Sequence, residues 1–285
     1  MSDPLVRTTS LRFGYPQRKG LFRKSGLREV IKGVDIVVPR GSVLGLVGES
    51  GSGKTTLGRL LVRLLQPTAG GIQFDGVEIG GLDESELRPL RARIQMIFQD
   101  PQSSLNPRLR LGTTLTRPLH AYGRLKGPQD QRERAAALLN LVGLPVEFID
   151  RYPNELSGGQ RQRAGIARAL ALEPDFIVAD EIVSGLDVST QAHILLLLKE
   201  LRARLGLTMV FISHDLSLVR VLCDDVAILY HGEVVEYGPV ARVFSAPQHA
   251  YTRQLLAAIP LPDVEPGWLD DTPPVVTPQP QGSAA

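Results

Sequence analysis

The feature that most restricts this chain is a junction between two kinds of local structure. Five apolar residues, Val43–Val47, run directly into Gly48, Glu49, Ser50, Gly51, Ser52, Gly53, Lys54, Thr55 and Thr56. Beyond them Leu57, Leu60, Leu61, Leu64 and Leu65 recur at i, i+3, i+4, i+7 and i+8, one apolar stripe along a helix that Pro67 is predicted to stop. A buried strand, a glycine-rich turn and a helix start in succession make a βα unit, and Gly-x-x-x-x-Gly-Lys-Thr is the P-loop pattern. Glycines let successive N–H groups point inward, while the helix start adds unpaired donors and the positive end of its dipole. Such a cradle suits a polyphosphate held by residues 48–56. Lys54 would reach the β and γ phosphates, and the Thr55 hydroxyl would bind a bridging Mg2+.

Further apolar runs at 94–98, 176–179, 209–212 and 226–230 alternate with helical patterns. Continuous apolar runs of this length predict strands buried on both faces of a largely parallel sheet. From Pro101 to Pro153 the pattern changes to helices and loops, with Ala135, Leu138, Leu139 and Val142 on one helical face. The expected fold is therefore an α/β, mostly parallel P-loop NTPase core with an inserted helical subdomain over about 101–165. No internal repeat is present.

The second carboxylate-bearing junction is at 176–181, where an apolar strand delivers Asp180 and Glu181 at its end, the edge at which parallel sheets collect ligands. Neighbouring strand residues point to opposite faces, which suits the two acids to different tasks. Asp180 would hold Mg2+, directly or through water, and Glu181 would orient or deprotonate the water that attacks the γ phosphate.

Composition excludes other classes. With 43% hydrophobic and 22% charged residues the chain has a globular balance, and no stretch approaches the ~18 apolar residues of a spanning helix. No secretory signal is expected from the N-terminus. One cysteine, Cys223, leaves no intramolecular disulfide, Cys-based zinc site or iron–sulfur cluster to be built from this chain, which fits a reducing cytosol. A net charge of +2 gives no bulk attraction to nucleic acid. Residues 1–30 hold seven Lys or Arg against Asp3 and Glu29, and this reads as a solvated surface loop rather than a site for anionic lipid or an acidic partner. The tail, 261–285, is Pro-rich and acidic and is expected to be disordered.

Leu156, Ser157, Gly158, Gly159 and Gln160 open another helical stretch, with Ser157 at the N-cap and two glycines baring the backbone. Five fixed residues recur by chance in roughly one chain in two thousand, so this segment discriminates more sharply than the P-loop. With it the chain resembles the nucleotide-binding subunit of ATP-binding cassette (ABC) transporters over about residues 5–260. The resemblance implies a RecA-like core with an N-terminal antiparallel β region. It makes Gln99 the Q-loop residue and a Mg2+ ligand beside Thr55 and Asp180, Asp187 the D-loop residue, and His214 the switch histidine that acts with Glu181. It places an aromatic ring on the adenine. Tyr15 is the candidate here, with Phe13 beside it, against a simple packing role. His120, His193, His231 and His249 are assigned no chemistry.

In that family the signature of one subunit closes over ATP held by the P-loop of another, so a head-to-tail dimer is implied, with a second copy or a related ATPase. Residues 99–107 and 247–260, and the basic insertion between Tyr15 and Val30, are similar to peptide and nickel importers. They imply an ATPase domain over 1–245, an importer-type extension over 246–260, and docking as a peripheral subunit on the cytoplasmic face of the inner membrane. Two permeases and an external solute-binding protein would be the partners, and nucleic acid would not. Four departures stand out. The cysteine cluster common in such extensions is absent. Ile182 stands where proline usually follows the acid, and Gly185 replaces the usual D-loop alanine, changes expected to soften coupling. Ala250 replaces a usual proline. The competing readings are a soluble cassette ATPase acting on nucleic acid or ribosomes, and a nucleotide switch without turnover.

Overall fold

The computed structural model describes residues 3–17, 26–100 and 104–258. Arg18, Lys19, Arg23 and Lys24 of the basic stretch, residues 101–103 and the Pro-rich tail from 259 lie outside the described residues, as do the expectations placed on them.

Strand β1 (Val6–Gln17) pairs antiparallel with β2 (Gly26–Val34) and with the short β3 (Val37–Val38). β4 (Val43–Val47) then leads through the glycine-rich loop into α1 (Lys54–Leu61). β5 (Ala69–Phe74) and β6 (Val77–Glu78) return to β1 and complete an antiparallel sheet in the order β2-β1-β5-β6, with β3 on β1. α2 (Glu84–Arg91), closed at its start by an Asp83–Glu86 capping box, precedes β7 (Ile94–Ile97). Helices α3 (Leu111–Ala121), α4 (Pro128–Leu141) and α5 (Gly158–Leu170) follow, packed on one another and without a strand among the described residues between 104 and 153.

The chain then re-enters the core as β8 (Phe176–Asp180), α6 (Val188–Leu205), β9 (Thr208–Ile212), α7 (Leu216–Leu222), β10 (Asp225–Tyr230), β11 (Glu233–Pro239), α8 (Val240–Ser245) and α9 (Ala250–Ala258). The second sheet runs β11-β10-β4-β9-β8-β7 and is parallel except for the β10–β11 hairpin. Every residue of β4, β8 and β9 is buried, as expected of strands covered on both faces. Alternation divides them. Leu44, Leu46, Val178, Val210 and Ile212 pack with α1 and the antiparallel sheet, whereas Val43, Val47, Ile177, Met209 and Phe211 join the core on the other face. Among the described residues no helix is long and apolar enough to cross a membrane.

Helix α1 departs from its predicted end. It stops at Leu61, well before Pro67, because Arg63 takes a left-handed backbone (φ 54) and its buried guanidinium donates to the carbonyls of Ile79, Leu65 and Leu82. Those bonds hold the turn, and Leu64 is swung out to 48% exposure instead of extending the buried stripe. Leu57, Leu60 and Leu61 remain fully buried and anchor the helix, at about 1.5–3 kcal/mol for each side chain.

Candidate functional site

Because β4, β7, β8 and β9 run parallel, the segments that leave their C-terminal ends emerge at one edge of the sheet. There the P-loop, Gln99, the Asp180–Glu181 pair and His214 meet. Gly48 sits so close to β10 that a Cβ would lie 2.1 Å from the Leu229 carbonyl oxygen, and Gly53 caps α1 at φ 111, a conformation only glycine takes freely. The Lys54 ammonium is buried and donates to the carbonyls of Gly48 (2.7 Å) and Glu49 (2.9 Å). Burial pushes its pKa down, against the attraction of Glu181, Asp180 and Glu49. Ser52 Oγ is buried without a hydrogen-bond partner among the described residues, a polar atom left for a ligand.

Opposite the cradle, Thr55 Oγ1 donates to Asp180 Oδ1 at 3.1 Å. Asp180 is almost wholly buried. Desolvation raises its pKa, with the Glu181 charge adding to the rise and the Thr55 bond opposing it. A carboxyl whose folded pKa lies above its unfolded value stabilises the fold most below the unfolded value, and that contribution is lost as pH rises through the folded pKa. Above that pKa the Asp180 carboxylate is a destabilising charge in the protein without nucleotide. Asp180→Asn should raise the melting temperature of the nucleotide-free protein at pH 7.5 while abolishing Mg2+-dependent turnover. A lower melting temperature would contradict this balance.

Glu181 leaves the strand in the left-handed region, at φ 46, with its N–H on the Ile212 carbonyl and its own carbonyl accepting from Ser184 N. A non-glycine residue held there stores about 1–2 kcal/mol. The divergence of Asp180 and Glu181 thus comes from this backbone turn, not only from strand alternation. The turn presents Glu181 Oε2 to Gln99 Nε2 at 2.9 Å and Oε1 to His214 Nδ1 at 3.7 Å. Ile182, next along, is buried in the core and so ties the turn down, and Gly185 occupies φ 76, which alanine would adopt only under strain.

The Leu156–Gln160 segment forms the predicted helix start. Ser157 Oγ accepts from Gln160 N at 3.3 Å and Gln160 Oε1 accepts from Ser157 N at 2.9 Å, a reciprocal capping box that leaves both residues at the surface, while Leu156 is buried. Its neighbours belong to the D-loop side. A Cβ on Gly158 or Gly159 would meet Leu186 and Thr190 rather than the P-loop. Asp187 caps α6 through Thr190 N, with Ser189 and Thr190 hydroxyls on its carboxylate, and these bonds pull its pKa far down. Gln191 donates to the carbonyls of Val183 and Leu186 and closes the D-loop from behind, a role spacing alone did not suggest. Tyr15 is 40% exposed and meets Phe13 edge-on at 4.8 Å, while Phe13 is buried. One contact escaped sequence reasoning altogether: Tyr251, from α9, reaches the P-loop backbone at Glu49.

Residues 31–184 match the ABC transporter family, and residues 235–282 match the oligopeptide/dipeptide transporter C-terminal region. The chain belongs to the ABC transporter family. Among its ABC relatives, a putative peptide import ATP-binding protein of Brucella ovis is 52% identical over 240 residues, 84% of this chain and 75% of that protein. The dipeptide transport ATP-binding protein DppF of Haemophilus influenzae is 46% identical over 259 residues, 91% of this chain and 79% of its own length. Among solved structures, the ATP-binding cassette MJ0796, as a dimer in a post-hydrolysis state bound to ADP and Pi, superposes with a TM-score of 0.72. It is 31% identical and covers 82% of this chain and 98% of its own. This ABC chain is the ATPase subunit of an importer.

Proposed function

We propose that this subunit hydrolyses ATP to drive peptide uptake through two partner permeases, working at the cytoplasmic face of the inner membrane with a second ATPase subunit, identical or related. An external solute-binding protein would deliver the peptide. The observation that carries this reading is the separation of two complementary half-sites. The cradle, the two carboxylates, Gln99 and His214 share one sheet edge, and the Ser157 helix start is exposed and has Leu186 and Thr190 of the D-loop side as its neighbours.

In this reading residues 48–56 enclose the triphosphate, Lys54 binds the β and γ phosphates, and Tyr15 stacks on the adenine. The oxygens of Thr55 and Asp180, with Gln99 as the third ligand of this reading, suit a hard divalent cation, which would offset the buried Asp180 charge. Bound there, Mg2+ would offset charge on the bridging phosphate oxygens. Glu181 Oε1, the oxygen not occupied by Gln99, takes the proton of the attacking water, and His214 steadies that carboxylate. Residues 156–160 close over the nucleotide of the partner subunit, and Asp187 holds the D-loop at that seam.

Permease docking is supported by a cleft of about 510 Å3 where β7 meets the helical region, lined by Leu64, Met96, Phe98 and Leu109 with Arg91 and Arg117 at the sides. It adjoins the strand that leads into Gln99, so a permease segment seated there would sense closure. The exposed Leu64 belongs to this surface. The helical subdomain, placed at about 101–165, would supply its far wall.

Uptake of labelled di- and tripeptides tests the reading. Cells lacking the chain should lose uptake and the wild-type chain should restore it. Ser157→Arg should fail to restore it while the purified variant binds ATP as the wild type does. Restored uptake with Ser157→Arg, or lost ATP affinity in that variant, would contradict the split site.

A further inference from the structure

Glu49 is the hub of the cradle's first turn. Its carbonyl accepts from Lys54 Nζ at 2.9 Å and from Ser52 N at 3.2 Å, while the Gly48 carbonyl, on the peptide that carries the Glu49 N–H, accepts from Lys54 Nζ at 2.7 Å, so the orientation of that Gly48–Glu49 peptide sets where the lysine waits. The residue's N–H, on the other side, is taken by the phenolic oxygen of Tyr251 at 2.9 Å, from a helix some 202 residues further along the chain. The side chain of Glu49 is exposed.

The phenol is positioned independently of the P-loop. Tyr251 is 6% exposed, and its ring lies on Tyr230, the last residue of β10, at 4.1 Å. Glu236 on β11 accepts from the N–H groups of Gln248 (2.9 Å) and His249 (3.0 Å), and His249 Nδ1 accepts from Tyr251 N at 3.2 Å. The β10–β11 hairpin therefore holds the entry to α9, and α9 in turn holds the cradle.

We propose that Tyr251 is a positioning residue of the nucleotide site, through which the C-terminal segment sets the affinity for ATP by pinning the Gly48–Glu49 peptide, whose carbonyl holds Lys54. The proposal rests on Lys54 being a phosphate ligand, as read above. Without the phenol oxygen the Glu49 N–H has no partner among the described residues, the Gly48–Glu49 peptide turns more freely, and the Gly48 carbonyl no longer fixes the ammonium. Nucleotide must then order the loop on arrival, which weakens binding and leaves the chemistry at Glu181 untouched.

The test uses the full-length chain, a fluorescent ATP analogue with Mg2+, and steady-state hydrolysis. Tyr251→Phe keeps the ring on Tyr230 and removes only the oxygen. It should raise Kd and KM about three- to tenfold, as loss of one buried hydrogen bond does, with kcat within about twofold. Glu236→Gln, which loosens the entry to α9, should shift KM in the same direction. A Tyr251→Phe protein with wild-type affinity, whether or not it melts earlier, would overturn the proposal and leave Tyr251 a structural anchor. If Lys54→Ala also binds the analogue as tightly as wild type, the reading of the cradle itself fails with it.

Discussion

Replacing Glu181 with glutamine should leave ATP binding intact and lower Mg2+-dependent hydrolysis by about 10²- to 10⁴-fold, the range expected when a positioned general base is lost. The substitution is nearly isosteric, so the left-handed turn at φ 46 and the burial of Ile182 behind it have no reason to change. What changes is Oε1. In the wild type it lies 3.7 Å from His214 Nδ1, while Oε2 accepts from Gln99 Nε2 at 2.9 Å. An amide there can still accept a hydrogen bond from water but cannot take the proton. The rate of single-turnover hydrolysis, measured beside equilibrium binding, checks both halves. Equal rates in the two proteins would remove Glu181 from the reaction.

Lys54→Ala carries the second large effect. Among the described residues the ammonium is one of few buried charges, and it donates to the carbonyls of Gly48 and Glu49. Removing one partner of a buried charge-assisted pair costs about 2–5 kcal/mol, a loss of roughly 30- to 4,000-fold in affinity. Because Leu57, Leu60 and Leu61 anchor α1 independently of the lysine, the variant should stay folded. Labelled ATP binding with a thermal melt on the same sample separates loss of the ligand contact from loss of structure. Unchanged affinity would take Lys54 out of the phosphate site.

The core elements were readable because their constraints are local. A run buried on both faces has to be apolar, and residues 43–47, 176–179 and 209–212 are. The P-loop and the Ser157 cap were legible for the same reason: each works through contacts within a few residues, as the Ser157–Gln160 box shows. What escaped depends on distant partners. The early end of α1 is set by carbonyls of Leu65, Ile79 and Leu82 around one arginine, and no periodicity in Leu57 to Leu65 announces it. The left-handed turn at Glu181 is invisible because glutamate rarely adopts it, so strand alternation alone pointed to the divergence of the two acids. Tyr251 sits in a segment whose similarity to importer extensions was evident, but spacing cannot say that its phenol meets the P-loop.

The central claim is that ATP is clamped between the cradle of one subunit and the Ser157 helix start of another. Light scattering of Glu181→Gln at equilibrium with Mg2+-ATP tests it most directly, because binding without turnover should hold the clamp shut. The account predicts twice the monomer mass with ATP, two nucleotides in each dimer, and a return to monomer with ADP. A monomer that retains ATP at saturation would contradict it.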